Sequence, residues 1–76
     1  MKELIEFLAR SLVDDPDAVE VREERDGDRV VLRLYVADGD MGKVIGRQGR
    51  IANAMRDLLK VAAARLGTRA SLEIGD

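Results

Sequence analysis

One segment limits the choice of fold more than any other. From Arg29 to Val36, the residues Val30, Leu32, Leu34 and Val36 alternate with Val31, Arg33 and Tyr35. A period of two with one apolar set marks a strand whose inner face is buried. Before it, Arg25-Asp26-Gly27-Asp28 reads as a hairpin turn, because Asp-Gly supplies the positive φ a tight turn needs. The strand Ala18–Glu24, with Val19 and Val21 inward, therefore pairs with it antiparallel. After it, Met41 to Leu66 is helical in period and long enough to cross the sheet. A right-handed crossover then returns the chain as a parallel strand, Thr68–Ile74, with Ala70, Leu72 and Ile74 inward. The expected fold is α+β, in the order α-β-β-α-α-β. It has a mixed three-stranded sheet, Arg29–Val36 central, the last strand an edge, and three helices on one face.

The helices follow from spacing. Lys2–Val13 places Leu4, Ile5, Leu8 and Leu12 on one face and ends at Asp14-Asp15-Pro16-Asp17. Ala37–Asp40 is a loop, and Met41–Ile45 is a short helical turn closed by Gly46. Gly46-Arg47-Gln48-Gly49 is a tight loop that opens the long helix Arg50–Leu66. On that helix Ile51, Met55, Leu58, Ala62 and Leu66 are expected to form the core stripe, with Arg50, Asn53, Asp57 and Lys60 opposite. Gly67 fits the position just past its end.

Composition narrows the chemistry. A chain of 76 residues holds one domain, taken as 1–76. It has no cysteine and no histidine, so it lacks a thiol nucleophile, a Cys-type zinc site and the commonest general base. No nucleophile–base pair stands out, and no enzyme activity, cofactor or metal is expected. No segment approaches the about 20 apolar residues that a membrane span needs, and a cytoplasmic location is the default expectation. The acidic clusters at Asp14–Asp17 and Asp26–Asp28 read as a solvated end of the domain, Met41 and Met55 as core fillers, and Tyr35 as a strand-surface residue.

The formal charge of −2 argues against a nucleic-acid partner until it is divided along the chain. Residues 1–40 carry six bases and twelve acids, whereas residues 41–76 carry seven bases and three acids. The basic half is the one that contains the glycine loop. A G-x-x-G pattern alone means little, since this glycine content produces about 0.6 of them by chance. Its position carries more weight. The loop opens a helix, whose first N–H groups lack intrahelical partners and favour an anion. Lys43, Arg47 and Arg50 surround it.

The run Gly42-Lys43-Val44-Ile45-Gly46-Arg47-Gln48-Gly49-Arg50-Ile51-Ala52 resembles the V-I-G-x-x-G signature of KH domains. The element order is that of the type II arrangement, and the whole chain looks like the small bacterial single-KH proteins of the KhpA family. The resemblance implies single-stranded RNA binding, in an RNA chaperone or post-transcriptional regulator. In such domains the loop clamps about four nucleotides. Carried over, Gly46, Arg47, Gln48 and Gly49 hold the sugar-phosphate backbone, with Lys43 and Arg50 beside them. Val44, Ile45 and either Ile51 or Ala52 line an apolar groove, and Arg69 and Ser71 form its opposite wall. The alternative is a protein-association adaptor, working as a homodimer or with a second KH protein of the KhpB type. Ala52, Ala54, Ala63 and Ala64 would then let another helix approach closely.

Overall fold

The computed structural model describes residues 1–75. Helix α1 (Lys2–Leu12) leads through a 3-10 turn at Pro16–Ala18 into strand β1 (Glu20–Asp26). Strand β2 (Arg29–Tyr35) follows, then helix α2 (Met41–Ile45), helix α3 (Arg50–Arg65) and strand β3 (Arg69–Ile74). The sheet order is β1-β2-β3, with β1–β2 antiparallel and β2–β3 parallel. This is the α+β, type II KH arrangement expected from the sequence.

The hairpin is tighter than the sequence reading had it. Asp26 pairs with Arg29, so only Gly27 and Asp28 form the turn, and Gly27 takes the positive φ of 65°. At its other end β1 begins at Glu20, later than the expected Ala18. Pro16 starts a 3-10 turn there, and the Val19 N–H donates to its carbonyl at 3.2 Å.

The core forms where the inner faces meet. Val30, Leu32 and Leu34 of β2 are fully buried, with Val21 opposite Leu34 and Leu72 beside Leu32. Ile5 and Ala9 of α1 close one side of it. Ala70, Ile74 and Val36 pack against its edge as expected. Gly67 sits just beyond α3 with φ 71°, and Thr68 donates to the Ala63 carbonyl at 3.0 Å, which ends the helix.

The expected stripe on α3 is corrected. The buried residues are Ala52, Met55, Leu59 and Ala63, whereas Leu58 is 49% and Leu66 is 67% exposed. Apart from Met55, the inner set lies one residue along the chain, a rotation of about 100°. Alanines at both ends of the inner stripe let the helix lie close to the sheet, and Leu59 fills the space between them. The supposed alanine face is divided by the same rotation. Ala52 and Ala63 point inward, while Ala54 and Ala64 face solvent.

Candidate nucleic-acid interface

The glycine loop hangs from α2, and α2 is pinned by a buried acid. Asp40, just before α2, is 3% exposed. Its carboxylate accepts the backbone N–H of Asp14 at 3.2 Å and of Asp15 at 3.1 Å. Lys43 donates to Asp40 at 3.3 Å and to Asp14 at 2.9 Å. The latch ties the start of α2 to the chain leaving α1. The Asp14 N–H does most to hold the Asp40 carboxyl below the usual carboxylate range, with further help from Asp15 and Lys43, and burial opposes them. The bond to Asp14, then that to Asp40, raises the Lys43 ammonium.

The loop itself is built on unusual backbone angles. Gly46 has φ 77° and ψ 170°, Gln48 φ 59° and ψ 24°, and Gly49 φ 75° and ψ 13°. A Cβ on Gly46 would overlap the Ile51 side chain and come within 2.9 Å of its backbone nitrogen. Gly49 is the N-cap of α3 and offers no side-chain bond to the first turn. The Gly49 N–H donates to the Gly46 carbonyl at 3.1 Å and the Arg50 N–H to that of Arg47, so a 3-10 turn closes the junction without a side-chain cap. Arg47 and Gln48 are exposed at the tip, and Arg50 donates to the Gln48 side-chain oxygen at 3.3 Å.

From the loop a groove runs between α3 and the free edge of β3. It begins at Asn53, whose side-chain amide lies next to Gly49. A hollow of about 300 Å3 follows, floored by Leu59, Ala70 and Leu72 and rimmed by Arg56, Asp57, Lys60 and Ser71. The Arg56 Nε donates to the Leu72 carbonyl at 3.2 Å and its Nη1 to the Asn53 Oδ1 at 3.3 Å. One edge carbonyl of β3 is thereby covered, and the guanidinium is tied to the groove rim at two points.

The residues singled out in the sequence do not all fall at one place. Gly46, Arg47, Gln48, Gly49 and Arg50 form the loop and its mouth, and Ser71 stands on the groove's far rim. Arg69 lies farther along, where β3 begins. The apolar set is divided. Val44 is fully buried and Ala52 is 3% exposed, so neither offers surface to a base; both support the site from beneath. Ile45 is 38% exposed, and Ile51 is partly buried beneath Gly46. Lys43 is engaged by two carboxylates. The groove floor of Leu59, Ala70 and Leu72, and the polar rim residues Asn53 and Arg56, were not read as site residues. Their signal is the phase of α3, in which residues 53, 56 and 60 share one face beginning one turn after the loop.

The family model for the KhpA/KhpB KH domain matches residues 2–74. The chain belongs to the KhpA/KhpB family of KH domains. The match spans nine tenths or more of each KhpA relative. A protein of Caldanaerobacter subterraneus named RNA-binding protein KhpA is 51% identical over 97% of this chain and 99% of its own length. The protein of that name from Halalkalibacterium halodurans is 47% identical over the whole of both chains. Among solved structures, Aquifex aeolicus Era aligns over 96% of this chain with a TM-score of 0.64 at 16% identity. A second Era structure, in complex with MgGDPNP and nucleotides 1506–1542 of 16S ribosomal RNA, aligns with a TM-score of 0.56 at 19% identity. The chain spans 28% of each Era chain, and at this identity the likeness is one of fold. No helix among the described residues is long and apolar enough to cross a membrane.

Proposed function

We propose that this chain is a single KH domain that binds single-stranded RNA, with the backbone on the Gly46–Gly49 loop and the bases in the groove between α3 and β3. One observation carries the reading. Three of the four loop residues have positive φ, which holds the exposed Arg47 and Gln48 at the tip of the loop where it enters α3, at the mouth of the groove. The names of the KhpA relatives support the nature of the ligand. The apolar floor accepts base faces without an aromatic ladder, and the uncovered edge groups of β3 can bond base edges. Among the described residues no three or more acids, histidines or cysteines gather as a metal site would require. The cellular role that fits is an RNA chaperone or post-transcriptional regulator in the cytoplasm.

The test is the double substitution Arg47→Asp with Gln48→Asp. Both side chains are exposed, and Asp tolerates the left-handed angles at position 48 better than Gln does. The variant is expected to keep its circular-dichroism melt and to lose binding to single-stranded oligoribonucleotides in fluorescence anisotropy. Retained binding by the folded variant would sink the loop assignment.

A second reading, association with another copy or with a KH protein of the KhpB type, is favoured by Leu58, Val61 and Leu66. These residues are 49%, 56% and 67% exposed on one side of α3. Sedimentation at tens of micromolar is expected to show a dimer that Val61→Lys disperses. A monomer at that concentration, with no KhpB-type protein captured, overturns this reading and leaves the RNA reading untouched.

A further inference from the structure

The groove does not stop at Ser71. Past Lys60 it opens into a second hollow of about 430 Å3, where Arg29 and Arg69 meet Ala63 and Thr68. Lys60, Ala70 and Ser71 border both hollows, so the path is continuous. Arg29 and Arg69 are direct neighbours across the β2–β3 ladder. Thr68 Oγ1 donates to the Asp28 carbonyl at 2.9 Å and fixes this end of the molecule.

The charges here are left unanswered. Arg22, Arg33 and Lys43 each have a carboxylate within ion-pair distance. Among the described residues, Arg29, Lys60 and Arg69 have none. Among the described residues none of the nearby acids lines this hollow, although Asp28, next to Arg29 in the chain, shares the neighbouring hollow with Arg69. Asp57 sits on the rim toward the loop, and Asp26 faces Arg29 from the β1 side of the sheet. Three adjacent cations cost free energy through mutual repulsion unless an anion shares the space. A helix rises about 1.5 Å per residue, so Gly49 and Ala63 are separated by about 20 Å. That exceeds twice the screening length of about 8 Å at physiological salt, so the two ends act on different phosphates.

We propose that Arg29, Lys60 and Arg69 form a second phosphate subsite at the exit of the groove. It takes the backbone of the same RNA strand beyond the nucleotides held by the glycine loop. The inference rests on the RNA reading above. It is tested by anisotropy with mixed-sequence single-stranded RNA of four and of ten nucleotides, using the unaltered chain and the Arg29→Glu variant. Arg29 is exposed, and a melt checks that the variant folds. Arg29→Glu is expected to bind the ten-mer about tenfold more weakly and the four-mer within about twofold, because the loop lies beyond the screening length. The log–log salt slope for the ten-mer is expected to fall by about one. Unchanged ten-mer affinity, or an equal loss for both lengths, overturns the subsite and leaves the loop assignment standing. If the unaltered chain binds neither RNA, the RNA reading fails and the subsite falls with it.

Discussion

Gly46 is the position least open to change. Its φ and ψ lie in a region that only glycine occupies freely, and a Cβ there would run into Ile51. Gly46→Ala is expected to destabilise the domain by about 3 kcal/mol, from strain and overlap together. Gly49→Ala meets nothing closer than the Asn53 amide at 3.9 Å, and its left-handed angles alone cost about 1 kcal/mol. Urea melts of the two variants check the difference; equal losses would count against the close approach of Gly46 to α3. Asp40 makes its prediction through pH. Its folded-state carboxyl titrates below the usual range, so its contribution is present above the unfolded pKa of about 4 and is lost as pH falls through the lower folded value. Asp40→Ala is expected to lower the urea midpoint at pH 7, and its gap to the unaltered chain should close under acid. A gap that persists in acid would mean that the carboxylate is not what holds α2. This latch is not legible from local sequence. Asp40 looked like one more loop acid, because the N–H groups it accepts belong to residues 25 and 26 positions away.

At the scale of elements, nearly every helix and strand was legible and one helix's rotation was not. Alternation fixed the inner face of β2, and Gly67 marked the end of α3. On α3, two neighbouring stripes compete. One offers Ile51, Leu58 and Leu66, and the other offers Ala52, Leu59 and Ala63. Hydropathy prefers the first, while close packing against the sheet selects the second. Spacing alone carries no information on how near the sheet lies. The observed rotation predicts that Leu59→Ala costs about 3 kcal/mol, as a fully buried leucine should. Leu58→Ala should stay within about 0.5 kcal/mol. Thermal melts of the pair decide it, and the reverse order would mean a wrongly placed helix. The same rotation accounts for the groove residues that were missed. With Leu59 inward, Asn53, Arg56 and Lys60 turn toward β3, so residues of the face expected opposite the core stripe border the groove.

Across the whole molecule, the side-chain cations with a carboxylate partner among the described residues are Arg22, Arg33 and Lys43. The outer face of the sheet neutralises itself through Arg22–Glu20, Arg33–Glu24 and Arg33–Glu73. Beside the loop and groove, Arg47, Arg50, Arg56 and Lys60 lack such partners among the described residues, whereas Lys43 has two. Binding to a short single strand is therefore expected to weaken with salt, with a log–log slope of about −2 to −3 for three or four phosphates. Duplex of equal length should bind far more weakly, because the groove admits one strand; titration of both forms over a salt series checks this, and equal affinity would rule out the groove. The topology also sets an order of events. The turn joining β1 and β2 closes within four residues, whereas Arg29 must find Arg69 across forty. Loop-closure entropy makes the second pairing the slower one to reward. The hairpin can form while β3 is still loose, so Val21→Ala should slow refolding and Leu72→Ala should chiefly speed unfolding. The β3 wall of the groove is then expected to be the last part of the molecule to close and the first to open.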